Sequence, residues 1–154
     1  MRIAAILAGL VVAIQFIPID TTNPPVTAEI HASPAIAAVL RRSCYDCHSN
    51  ETRWPWYSHV APISFVVSRD VHQARHHLNF STWGEYDPIR QAKAVREIWK
   101  QVSSGEMPMS IYLPLHQDAR LSDAAKAALE AWAKSVAAAN PGLPEDPADH
   151  EHER

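Results

Sequence analysis

Cys44-Tyr45-Asp46-Cys47-His48 places two thiols three positions apart and an imidazole directly after the second. This spacing reads as a covalent c-type haem attachment site. On a helical turn, residues three apart share a face, so Cys44 and Cys47 can add to the two vinyl groups along one edge of a porphyrin. His48 then projects over the ring toward the iron and binds it as a neutral imidazole through Nε2. An acceptor on the other ring nitrogen is needed to hold the tautomer and the plane. The Pro55 and Pro62 carbonyls are the candidates for that acceptor.

Three other readings of these residues each make a demand on the rest of the chain. A thiol–disulfide redox pair sits at a helix N-terminus, where the dipole lowers the thiol pKa. Here the apolar spacing of Ile36, Val39, Leu40 and Cys44 runs upstream, so the cysteines are expected to close a helix rather than open one. Zinc needs two further ligands, and the nine histidines form no H-x(3 to 5)-H pair at the downstream distance that finger-type sites use; His72 with His76 or His77 comes nearest. A structural bridge between the only two cysteines closes a tiny loop and restricts little of the unfolded chain. Haem is the favoured reading.

Outward from the motif the chain reads as helices. Ser33 before Pro34 is a cap followed by a first-turn proline, which predicts a helix over about 33–46. Residues 49–57, with Trp54-Pro55-Trp56-Tyr57, read as an irregular aromatic loop beside the haem. Pro62 opens a helical stretch through Ile63, Phe65, Val66, Val67 and Val71. Asp87-Pro88 repeats the cap-and-proline signal, Ile89, Ala92, Val95, Ile98, Trp99 and Val102 follow at helical spacing, and Gly105 supplies the stop. Ser122 and Asp123 open a last helix with Ala125, Leu129, Trp132 and Val136 on one face, ending before Pro141-Gly142. No alternating strand pattern of useful length is present. The expected fold is all-α, a cytochrome-c-like helical domain over residues 30–140 around one covalent haem, with 141–154 a disordered tail.

The chain has 154 residues, 47% of them apolar, which suits one modest core plus tails. A formal charge of −3 gives no basic face of the kind nucleic acid requires. Residues 3–19 are apolar except for Gln15, Gly9 and Pro18, and as a helix they would reach roughly 26 Å. This predicts an N-terminal membrane helix over 1–19, joined to the domain by a linker over 20–29. Arg2 with the terminal amine favours a cytoplasmic N-terminus, inner-membrane anchoring and a periplasmic domain. A signal peptide cut near Val26-Thr27-Ala28 is the alternative. Either way the domain is exported, in keeping with covalent haem attachment outside the cytoplasmic membrane.

What fills the second axial position separates electron transfer from ligand binding. Gly105-Glu106-Met107-Pro108-Met109 lies between the last two predicted helices and can offer a thioether on a proline-stiffened loop. Met107 is the favoured ligand. His59, His72, His76, His77 and His116 are alternatives, as are Met109 and an open site. A methionine that merely fills an apolar gap is the plain counter-reading. Arg69 and Arg75 suggest a solvated face for the helix bearing His76 and His77, while Arg75 or Trp54 could also meet the haem propionates.

Assembled, these features resemble the small monohaem c-type cytochromes and, more narrowly, the bacterial haem-binding-domain family. The resemblance is carried by CYDCHSNETRWPWYSHVAPISF from Cys44, LNFSTW over 78–83 and SGEMPMSIYLPLHQDARLS over 103–122, and it spans about residues 25–138. It implies an all-α cytochrome-c-like fold, an N-terminal anchor, His48 as proximal ligand and Met107 as distal ligand. Proline is usual in the family where this chain has Met109, and glycine where it has Ala74.

The expectation is a membrane-anchored periplasmic cytochrome, holding haem c through Cys44 and Cys47, that carries single electrons between redox partner proteins rather than acting as an enzyme. A haem sensor or peroxidase-like enzyme with an open or labile distal site is the rival, motivated by His59, His72 and His116. An accessory domain of a larger oxidoreductase complex is the third possibility.

Overall fold

Local capping chemistry accounts for where the two longest helices among the described residues begin. In the computed structural model, which describes residues 1–142, every regular element is a helix and no strand is formed among the described residues. In chain order the α-helices are α1 (Arg2–Ala13), α2 (Pro34–Ser43), α3 (Tyr45–His48), α4 (Ile63–His77), α5 (Pro88–Ser104) and α6 (Asp123–Ala139), with short 3₁₀ turns between them. The all-α expectation holds. The tail expected to be disordered lies, beyond Gly142, outside the described residues.

The chain divides into two compact units. The first comprises Met1–Ile30 and Cys44–Trp83, and the second His31–Ser43 and the chain from Gly84 onward. In the first unit α3 packs on α4, and α4 packs on the 3₁₀ turn Trp56–His59. In the second, α6 packs against both α5 and α2.

Helix α5 starts where Asp87 accepts a bond from the Arg90 amide at 2.9 Å, with Pro88 in the first turn. It stops at Gly105, whose φ of 83° is the left-handed conformation that a residue without Cβ adopts at least cost. Its buried face is Ala92, Val95, Ile98 and Val102. Helix α6 is capped by the Ser122 hydroxyl, which accepts from the Ala125 amide at 3.2 Å, and it buries Ala125, Leu129 and Ala133. Burying a leucine as completely as Leu129 contributes about 2 kcal/mol from apolar transfer alone.

The N-terminal expectation needs correction. An uninterrupted helix over residues 3–19 is not formed: α1 ends at Ala13, a 3₁₀ turn follows over Ile14–Phe16, and Ile17 is extended before Pro18. Gln15 explains the break. Its amide nitrogen donates to the Val11 carbonyl at 2.9 Å and the Ala61 carbonyl at 3.1 Å, while its oxygen accepts from the Ala61 amide at 3.0 Å. A polar side chain tied to the backbone of residue 61 fixes the chain just where the membrane helix was expected to run on. Among the described residues no helix is long and apolar enough to cross a membrane. Ile3, Ile6, Leu7, Leu10, Val11 and Val12 are all exposed on α1.

The segment expected to be a linker is hydrogen-bonded along its length within the first unit. The Thr27 and Ala28 amides donate to the Ser81 carbonyl at 3.1 and 3.0 Å, and the Ile30 amide to the Phe80 carbonyl at 2.9 Å. The Pro25 carbonyl accepts from Asn50 at 2.8 Å, the Asn23 amide nitrogen donates to the Thr52 carbonyl at 2.9 Å, and the Asp20 carbonyl accepts from Ser68 at 2.7 Å. A segment without apolar periodicity is held here by its own backbone groups and the Asn23 side chain.

Candidate haem site

The sequence predicts one helix running through Cys44 and Tyr45. The structure breaks it in two. Helix α2 ends at Ser43, Cys44 leaves helical geometry at φ −128°, ψ −32°, and a single turn, α3, follows. That turn is closed by the His48 and Cys47 amides, which donate to the Cys44 carbonyl at 2.9 and 3.2 Å. The cysteines therefore open a short turn rather than close a long helix, and the thioredoxin-like reading must be judged on other grounds.

The thiols supply those grounds. Both are free and half-buried. Burial, and secondarily the charge of Cys47, pushes the Cys44 thiol up to about 12. Burial also pushes Cys47 up to about 11, with Asp46 and Asp70 adding to the rise and Arg75 opposing it. Thiol–disulfide exchange and zinc ligation both need thiolates. These sulfurs hold their protons at neutral pH. Among the described residues no group of three His, Cys, Asp or Glu side chains could hold a metal ion, so a zinc site lacks its further ligands.

His48 is oriented by α4. Its Nδ1 lies 3.2 Å from the carbonyl oxygen of Leu78, where the chain leaves α4 with extended backbone. A carbonyl only accepts, so Nδ1 carries the proton and Nε2 keeps its lone pair. This corrects the sequence expectation, which offered the Pro55 and Pro62 carbonyls. Burial holds the imidazole below its ordinary value, with the charge of His77 acting in the same sense and the Leu78 and Ala74 carbonyls opposing. The ring is thus neutral at physiological pH, the form that ligates a metal.

An aromatic stack stands behind the motif. Phe80 is completely buried, with Tyr45 stacked on it at 5.3 Å and 10°, Trp83 at 6.2 Å and 27°, and the His48 ring edge-on at 6.3 Å and 65°. Buried polar groups lace the same region. Ser49 donates its hydroxyl to the Tyr45 carbonyl at 2.7 Å, the Asn50 amide donates to the Ser81 hydroxyl at 2.9 Å, and Asn79 donates to the Asn50 side chain at 2.8 Å. Sequence reasoning assigned no role to Asn50, Asn79, Phe80 or Ser81. The only signal for the last three was their place in the LNFSTW run.

Arg75 also departs from expectation. Expected on a solvated face, it is buried, and its guanidinium donates to Ser49, Thr22, Asn23 and Thr52. Trp54 donates its indole N–H to Asn23 at 3.3 Å. His76 and His77 are exposed, as that reading expected, and so is His59. His72 faces Asp20, 3.4 Å from its carboxylate.

Met107 belongs to the second unit. Its amide donates back to the Gln101 carbonyl at 3.0 Å, folding the loop onto the end of α5, and both Met107 and Met109 are half-buried. Farther along that loop Tyr112 and His116 stack at 3.8 Å and 6°. The structure brings Cys44, Cys47 and His48 together on one turn, and Met107 is described within its own unit.

The donor set suits a haem: two protonated thiols that are not joined to each other, and an imidazole with a free Nε2. The haem-binding domain family model matches residues 9–135. The chain belongs to the haem-binding domain family. Neither the curated proteins nor the solved structures contain a match to it. Family membership supports a haem cofactor and agrees with the resemblance read from the sequence.

Proposed function

We propose that this haem-binding-domain protein is a monohaem c-type cytochrome that passes single electrons between redox partner proteins. The observation that carries the reading is the bond from His48 Nδ1 to the Leu78 carbonyl, which leaves Nε2 as a preset ligand one residue beyond Cys47. Cys44 and Cys47 hold the group as thioethers, for which protonated, unbridged thiols are the required starting state. Bound haem supplies a one-electron ferrous/ferric couple. His48 would hold the iron, and Met107 would be its second protein ligand. A thioether there, in place of a second imidazole, favours the ferrous state and raises the potential.

The exposed apolar side chains of α1 support association with a membrane surface, and the proposed location is the periplasmic side of the inner membrane. Partners dock at an exposed haem edge.

The test is the full chain produced in a host with haem-attachment machinery. Pyridine haemochrome analysis should give one covalent haem per chain, lost on changing Cys44 and Cys47 together to Ala. Met107→Ala should remove the sulfur-to-iron band of the ferric protein and make it high-spin. A low-spin spectrum with that band intact excludes Met107. Carbon monoxide binding to the wild-type ferrous protein without displacement of a ligand would move the protein to the sensor or enzyme class.

A further inference from the structure

Helix α4 carries a buried cation that the proposed electron-carrying role does not by itself explain. Arg75 is 8% exposed. Its Nε donates to the Ser49 carbonyl at 2.7 Å, Nη1 to the Thr22 carbonyl at 2.9 Å, and Nη2 to Asn23 Oδ1 and Thr52 Oγ1, both at 2.7 Å. The Trp54 ring lies 5.9 Å away. All four acceptors are neutral oxygens. Buried arginines ordinarily face a carboxylate, because an unpaired charge away from water is costly. The charge is therefore solvated by dipoles, with the exposed Asp20 carboxylate acting on it through its field and without a direct bond.

The acceptors show what the cation holds. Ser49 and Thr52 lie in the loop leaving His48, and Thr22 and Asn23 lie in the N-terminal segment. Ser49 is gripped twice, its carbonyl by Arg75 and its hydroxyl by the Tyr45 carbonyl. One turn beyond Arg75, the end of α4 presents the Leu78 carbonyl to the His48 ring. One helix end thus fixes both the imidazole and the peptide that follows it. A lysine has the charge but not the planar fork that reaches four acceptors at once.

Resting on the haem reading above, we infer that Arg75 is the positioning residue for the His48 ligand. It locks the Ser49 peptide so that the imidazole keeps its bond to Leu78, and its positive charge, bonded to no carboxylate, favours the ferrous over the ferric iron.

Arg75→Gln, Arg75→Lys and Asn23→Asp test this. In the Gln variant the equilibrium constant for one-electron reduction should fall about tenfold, which is about 59 mV. The Lys variant keeps the charge, and its constant should change less than about threefold. Amide hydrogen exchange over residues 49–53 of the haem-free protein should quicken at least about tenfold in both. Asn23→Asp sets a carboxylate against the intact guanidinium, at the loss of the Asn23 bond to Thr52. It should lower the reduction constant much as Gln does, with a smaller rise in exchange. A haem-loaded Gln variant with wild-type potential overturns the electrostatic role, and unchanged exchange overturns the positioning role. If the Gln variant does not fold, Asn23→Asp decides the first point and Arg75→Lys the second. Wild-type protein without covalent haem would overturn the cytochrome reading instead, and exchange in the haem-free chain would still judge Arg75 as a positioning residue.

Discussion

The His48 Nδ1 atom stands 3.2 Å from the carbonyl oxygen of Leu78, a residue 30 positions farther along the chain. The bond fixes the tautomer and sets the ring edge-on to Phe80. Burial leaves the imidazole neutral against the opposing pull of this bond, and neutrality in the folded state has a thermodynamic consequence.

A histidine that resists protonation only when folded destabilises the fold in acid. Its contribution is fully present above the unfolded value near 6.5 and is lost as pH falls toward the depressed folded value, because the unfolded chain then binds more protons. Urea midpoints of the haem-free protein should therefore drop between pH 7.5 and pH 5, and drop less in His48→Phe. An equal drop in both would show that His48 titrates as freely folded as unfolded.

The raised thiols predict sluggish alkylation. At pH 8 an ordinary cysteine is a substantial fraction thiolate, whereas groups near 12 and 11 are almost wholly protonated. Iodoacetamide should modify Cys44 and Cys47 of the folded haem-free protein at least about a hundredfold more slowly than a free cysteine at pH 8, with the rate still climbing about tenfold per pH unit near pH 10, where that of a free cysteine has levelled off. Rapid labelling at pH 8 would revive the redox-pair reading.

Phe80→Ala should cost about 3–5 kcal/mol, because it empties a fully buried site beneath Tyr45, Trp83 and His48. Denaturant unfolding of the haem-free protein measures it. The same change removes the edge contact on the imidazole, so the haem-loaded variant should also show a broadened set of axial-ligand signals. A cost under about 1 kcal/mol would mean that the stack collapses without penalty.

Gly105→Ala should destabilise by about 1 kcal/mol, since the φ of 83° is strained for any residue with a Cβ. Nothing crowds the Cβ position itself, so the effect is conformational. Asp87→Ala should lose a similar amount through the missing cap on the Arg90 amide. The two sites lie at opposite ends of α5, and thermal melts of the double variant should show near-additive losses.

What could be read from the sequence was local. Asp87-Pro88, Ser122 and Gly105 announce helix ends through their own side chains or their lack of one, and the structure places the ends there. The apolar spacing that ran through Cys44 hid the break after Ser43, since counting residues cannot detect a change of dihedral angle. Arg75 was misread because its neighbours His76 and His77 do face water, whereas its four acceptors come from residues 22, 23, 49 and 52. Gln15 looked like one polar lapse in an apolar run, yet its partner is the backbone of Ala61, 46 residues on. The acceptor for His48 was unreadable for the same reason. Partners this remote leave no trace in spacing or composition.

The bonds of residues 20–30 to the loop after His48 and to the segment around Ser81 give the N-terminus a mechanical meaning. A slack leash lets its cargo tumble. Here a force applied to α1 would be delivered through Asn23 and Arg75 to the peptide that follows His48. Under the proposed cytochrome reading, the haem motif would keep one heading relative to any surface that holds α1, and electron partners would meet it from a restricted set of directions.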